Sequence, residues 1–134
     1  MSAPTGITKE RFPDWDRNPR PPAPLPPPES CDCQIHVYED ERKYPVRWNI
    51  AHEVPDGTFA DAKRVLRVLG FDRAIIVHAS VYDTDYAMIT DTLRRERDRN
   101  AYRGVVVIND SVTDRELDDL AALKPPPTEP DSES

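Results

Sequence analysis

No stretch of this 134-residue chain approaches the ~20 consecutive apolar residues that a membrane-crossing helix needs. No apolar run follows the charges near its start either, so a secretory leader is not expected. Basic clusters long enough to follow a phosphate backbone are missing, and the formal net charge is −7. Nucleic acid is therefore excluded as an expected partner. Arg94, Arg95, Arg97 and Arg99 read as the last turn of a helix, where cations suit the dipole. Cysteine is scarce: the two present, Cys31 and Cys33, sit on one strand with a single residue between them. That placement is too rigid for easy bridging, and no second pair exists to build a zinc site. Both are expected to be reduced, half-buried thiols, which fits a cytoplasmic protein without metal or other cofactor.

Proline, in contrast, is abundant. The 15 prolines crowd the two ends and divide the chain into three parts. Residues 1–28 form a proline-rich extension that favours polyproline II. It is expected to pack loosely across the domain as a semi-rigid leader. Residues 125–134 form an acidic, helix-breaking tail with nothing to bury. Between them, residues 29–124 hold the only globular pattern, on the order of 95 residues for a core.

Within that part Cys31-Asp-Cys-Gln-Ile-His-Val-Tyr38 alternates as a strand does. Strict alternation puts Asp32, Gln34 and His36 on one face and Cys33, Ile35 and Val37 on the other. A long loop follows, Glu39 to Gly57, carrying Tyr44, Arg47, Trp48 and His52; its aromatic and cationic content suits a flap over a pocket. Thr58 to Gly70 predicts a helix, with Thr58 as N-cap, Asp61 three residues on, and Gly70 as the left-handed stop. Arg73 to Ser80 predicts a strand, apolar at Ala74–Val77 as if covered on both sides. A second helix is expected over Thr84 to Asn100, with Tyr86, Ile89 and Leu93 inward. A third strand is expected over Arg103 to Asn109, centred on Val105–Ile108. Thr113 and Glu116 form a capping box for a third helix to Leu123, with Leu117, Leu120 and Ala121 packing inward.

The order β-α-β-α-β-α dictates an α/β fold with a parallel sheet. In a parallel barrel the inward face near the strands' C-terminal ends holds the ligand, so His36 is expected to look into such a pocket. Three strands of a barrel would leave two open sheet edges, which predicts self-association.

Several segments together resemble a known family. They are Leu25-Pro-Pro-Pro-Glu-Ser-Cys-Asp-Cys-Gln-Ile-His-Val-Tyr38, Tyr44-Pro45, Leu69-Gly-Phe-Asp-Arg-Ala-Ile-Ile-Val-His-Ala-Ser-Val-Tyr82, Asp85, Arg103-Gly-Val-Val-Val-Ile-Asn109 and Val112-Thr-Asp-Arg-Glu-Leu117. The set is similar to the opening third of amidohydrolase-superfamily barrels related to 2-pyrone-4,6-dicarboxylate lactonase. The resemblance implies the first three units of a (β/α)8 TIM barrel, a fold of about 250 residues when whole. It implies a truncated hydrolase acting on a small carboxylated lactone. In that family the first strand reads Asp-x-His-x-His. Here Gln34 replaces the first His, and a Gln carbonyl is a poor partner for a borderline-soft metal, so a metal-independent reaction is expected. By the same resemblance His36 and Gln34 are the catalytic candidates. Ser80, at the end of the second strand, is expected to hold a substrate carboxylate; His78, the loop's His52 and Tyr44 are further substrate-binding candidates. Gln34 also fits a sugar-lactone isomerase branch of the superfamily. A third reading is an inactive barrel fragment or binding module with a proline-rich arm.

Overall fold

A computed structural model describes residues 14–47, 54–96 and 100–123. Its elements alternate: β1 (Cys31–Ile35), α1 (Phe59–Leu69), β2 (Arg73–Val77), a 3₁₀ turn at Ser80–Tyr82, α2 (Ala87–Arg95), β3 (Tyr102–Val105) and α3 (Asp114–Ala121). The three strands form one sheet in the order β1-β2-β3, and both pairings are parallel. Parallel neighbours need a crossover between them, and α1 and α2 supply it.

Helix α1 begins and ends on the signals expected of it. The Thr58 side chain accepts from the Asp61 N–H at 3.2 Å, and the Asp61 carboxylate accepts from the Thr58 N–H at 3.2 Å. Gly70 stops the helix with φ 83°, a left-handed conformation that costs other residues roughly 1–2 kcal/mol. Residues 14–28 of the leader seat against the same helix along its length. Trp15 Nε1 donates to the Asp56 carbonyl at 2.6 Å, beside the start of α1. The Arg17 carbonyl accepts from Arg64 at 3.3 Å, and Leu25 and Pro26 close over Gly70. Glu29 N–H then reaches Asp72 at 2.7 Å, delivering the chain to β1.

The core lies on one side of the sheet. Ala74 and Ile76 of β2 are buried there with Phe59 and Leu66 of α1 and Met88 and Ile89 of α2. Gly104 pairs with Ile76 and faces the same way, its missing side chain making room for Ile89. Each fully buried aliphatic residue of this kind contributes roughly 1.5–3 kcal/mol.

Several expected boundaries move. Helix α2 starts at Ala87 because the Asp85 side chain accepts from the Ala87 N–H at 3.1 Å. Met88, Ile89, Thr90 and Thr92 are its buried residues, and Tyr86 stays at the boundary, half-buried. Strand β3 ends at Val105, and Val107 and Ile108 are exposed. Among the described residues only the helix side of the sheet is covered. Helix α3 forms on its capping box, with Glu116 N–H to Thr113 Oγ1 at 3.2 Å. Its apolar residues do not pack inward as expected: none is buried, and Leu117 is 42% exposed. Capping satisfies backbone groups locally, whereas burial needs a neighbour. No helix among the described residues is long and apolar enough to cross a membrane.

Candidate functional site

Strand β1 departs from strict alternation. Asp32 pairs with Ala74 and Ile35 with Ile76, so three residues on β1 span what two span on β2. This bulge puts Asp32 on the helix side with Ile35, not with Gln34 and His36 as the alternation predicts. Gln34 precedes Ile35 and His36 follows it; both are exposed, while Val37 is buried. Gln34 and His36 therefore share the sheet's open side, with Ile75 and Val77 of β2 and the 51%-exposed Val105 of β3.

His36 is fixed by its own strand neighbour. Its Nδ1 lies 2.9 Å from the Val77 carbonyl. A carbonyl only accepts, so Nδ1 carries the hydrogen, and in the neutral ring Nε2 keeps a free lone pair. An exposed imidazole with one nitrogen tied and one free is suited to accept a proton or to hold a polar ligand.

His78 has the opposite setting. It is 6% exposed on the helix side, in line with Ala74 and Ile76. Its Nδ1 accepts from the Val107 N–H at 3.3 Å, which places the hydrogen on Nε2. That atom is buried without a hydrogen-bond partner, 73° edge-on to the Tyr82 ring at 6.5 Å between centroids. Burial pushes the His78 pKa down, against the backbone of Asp83 and the carboxylates of Asp85 and Asp83. Alternation puts His78 and Ser80 on one face. The strand ends at Val77, however, and the 3₁₀ turn carries Ser80 into solvent while His78 stays inside.

Tyr44 is a core residue, not a flap. It is buried, and its hydroxyl donates to Asp91 at 2.8 Å. Burial and that carboxylate push its pKa up. His52 and Trp48 lie outside the described residues. Nearby, Arg47 joins Asp85 at 3.0 Å, and its N–H donates to the Val81 carbonyl at 2.8 Å, fastening the loop to the turn that bears Ser80. Burial raises the Asp85 pKa, but bonds from Arg47 and the Ala87 N–H outweigh it and hold the carboxyl below its ordinary value. The sequence singled out both residues without pairing them; an Asp two residues before a helical run is the signal for its capping role.

A groove of about 340 Å³ opens between β1 and α1, lined by Trp15, Asp32, Ile35, His36, Asp61 and Leu66 among others. Its charged groups are the carboxylates of Asp32 and Asp61, so it repels an anionic ligand. For a metal, the donor set is a poor fit: beside His36 stands an amide, and no cluster of three or more His, Cys, Asp or Glu able to hold an ion occurs among the described residues.

No family model matches the sequence. It is similar to the 4-sulfomuconolactone hydrolase of Hydrogenophaga intermedia, at 28% identity over 94 residues, covering 70% of this chain and 30% of that protein. Among solved structures, one from Agrobacterium tumefaciens superposes with a TM-score of 0.66 at 23% identity, covering 81% of this chain and 38% of the other. A Pseudomonas putida protein described as a 2-pyrone-4,6-dicarboxylic acid hydrolase superposes with a TM-score of 0.59 at 24% identity, covering 69% and 33%. A protein of Acinetobacter baumannii described in the same words, with citric acid bound, also gives 0.59, at 16% identity, covering 71% and 34%. The chain thus spans about a third of the length of the proteins it matches. Over that span its sequence is similar to that lactone hydrolase, and its fold to those solved structures.

Proposed function

We propose that this chain forms the first three βα units of a (β/α)8 barrel whose reaction is metal-independent hydrolysis of a small carboxylated lactone. The 2-pyrone-4,6-dicarboxylate type is the substrate this reading favours. The observation that carries it is the setting of His36, exposed on the open side of a parallel sheet with Nδ1 tied to Val77. In a barrel that side is the lumen, where ligands are held. His36 Nε2 then accepts the proton of the water that attacks the lactone carbonyl. The Gln34 amide, exposed on the same side, offers donors to the substrate, and the exposed Ser80 hydroxyl offers one to its carboxylate. His78 and Tyr44 are buried in the helix-side core; in this reading they hold the strands and the loop and do not touch substrate.

Gln34 beside a single imidazole also favours a second reaction, isomerisation of a sugar lactone on the same residues. The two are separated by incubating the purified protein with a pyrone dicarboxylate and with an aldarolactone. Hydrolysis consumes water and adds a carboxylate, whereas isomerisation leaves the composition unchanged. The lactonase reading expects ring opening of the pyrone, reduced about 10²–10⁴-fold in His36→Ala, the usual worth of a general base. Equal rates in the two proteins, or isomerised product alone, would contradict it; turnover of neither substrate would favour a non-catalytic binding module.

A further inference from the structure

The two cysteines of β1 are not used by the reading above, and their arrangement differs from that of two ordinary strand thiols. Cys33 is exposed and Cys31 partly so, and both are free. Cys33 Sγ lies 3.7 Å from the Cys31 carbonyl, which brings the later side chain back over the earlier residue. Cys31 Sγ lies 3.7 Å from the Asp32 carbonyl. Burial raises the Cys31 pKa, and the neighbouring Cys33 thiol, as charge and as hydrogen-bond partner, raises it further. The two sulfurs therefore sense each other directly. Arg73, paired with Cys31 across the sheet, acts in the opposite direction and favours the thiolate.

Strand geometry sets the strain. At a rise of roughly 3.2–3.4 Å per residue, Cα atoms two apart stand about 6.4–6.8 Å from each other. A disulfide accepts separations up to about 6.8 Å. The Cα separation is thus at the limit of the range. A bridge also needs Cβ atoms about 3.5–4.5 Å apart, closer than a regular strand brings same-face neighbours, so the backbone must bend between the two residues. Here the bulge that opens after Asp32 releases Cys33 from regular pairing, so the bridge needs no break in an intact ladder. Bridges that are strained and exposed are also the readily reduced ones.

We propose that Cys31 and Cys33 form a reversible dithiol–disulfide pair, oxidised by a small disulfide of the glutathione class. The exposed Cys33 thiolate attacks one sulfur of the disulfide RSSR, forming a Cys33–S–S–R bond and expelling RS⁻. The Cys31 thiolate then attacks the Cys33 sulfur, forming the Cys31–Cys33 bond and expelling the second RS⁻. The protein dithiol loses two electrons and RSSR gains them; the two thiol protons end on the released thiols. Because the bridge forms at the head of β1, it tightens the strand three to five residues before His36.

The test incubates the native chain with excess glutathione disulfide, blocks remaining thiols by alkylation and measures the intact mass. The expected product has lost two hydrogens, carries neither glutathione nor alkyl groups, and returns to the dithiol with a mild reductant. Cys31→Ser, which lacks the resolving thiol, should instead retain one glutathione on Cys33. Wild-type protein that retains glutathione, or that is alkylated at both cysteines after the same treatment, would overturn the proposal. So would a bridge between two chains in place of one within a chain.

Discussion

Replacing Gly104 by alanine drives a methyl group into the seam between β3 and α2. A Cβ at that position would lie 2.7 Å from Ile89 Cγ2 and 3.1 Å from Leu93 Cδ1. The first contact decides the outcome. Leu93 is half-buried, and its Cδ1 is the far end of a flexible side chain, which can turn aside. Ile89 is 1% exposed, its Cγ2 is bonded directly to Cβ, and a helical isoleucine has one strongly preferred χ1 rotamer. That methyl has nowhere to go. Overpacking of this kind costs about 1–3 kcal/mol, while exchanging a strand glycine for alanine returns roughly 0.5–1 kcal/mol of backbone entropy. The net destabilisation expected is about 1 kcal/mol, within a range of about 0–2.5 kcal/mol, and each kcal/mol lowers the Tm of a domain this size by about 4–8 °C. Urea unfolding followed by far-UV circular dichroism measures it. Ile89→Ala alone is expected to cost about 2–5 kcal/mol, and the double variant less than the sum by at least about 0.5 kcal/mol. A Gly104→Ala protein more stable than the parent, or strictly additive costs in the double variant, would refute the packing described for this seam.

Two further predictions concern a cap and a buried ring. Thr58→Ala should destabilise the fold by about 1 kcal/mol, the usual worth of an N-cap. Thr113→Ala, which removes the matching cap from a helix with no buried residue, should leave the unfolding midpoint nearly unchanged and lower only helicity; equal losses from the two would contradict the difference in burial. His78 is held below the ordinary histidine value of 6.5 by burial. Between the two values the unfolded chain binds a proton that the folded chain does not, so stability is full above about pH 6.5 and falls on acidification below it. In His78→Asn, which keeps an acceptor near the Val107 N–H but does not titrate, unfolding midpoints measured between about pH 7.5 and 5.5 should decline less than in the parent; parallel curves would remove His78 from the acid response.

How much of this was legible in the sequence depended on the range of the interaction that decides each feature. The capping boxes at Thr58/Asp61 and Thr113/Glu116 and the stop at Gly70 were legible, because the groups that form them lie within one helical turn. The alternation of strands and helices, and with it the parallel sheet, followed from hydrophobic period alone. The bulge in β1 was not legible: Cys33, Ile35 and Val37 read as a regular apolar face, and only the register against Ala74 and Ile76 shows that Asp32 has changed sides. His78 and Ser80 were separated by the end of β2 at Val77, a boundary that an apolar run does not mark. Val107, Ile108 and Leu117 carry an interior pattern yet stand exposed, since pattern records what a residue is suited to meet and not whether a neighbour is there. Among the candidate site residues, the exposure of His36 and Gln34 on one side agrees with the alternation argument. Tyr44 went to the core because its hydroxyl found Asp91, 47 positions away.

The most direct measurement is a titration of 2-pyrone-4,6-dicarboxylate into the folded protein, with the ring resonances of His36 and His78 followed by NMR. The account predicts that the His36 signals move saturably while those of His78, enclosed on the other side of the sheet, stay in place, and that Gln34→Ala weakens the response. Movement of the His78 signals, or a His36 response that Gln34→Ala leaves unchanged, would mean that the ligand meets the helix side of the sheet, where the groove also reaches His36, and the assignment of the open side as the substrate side would be wrong.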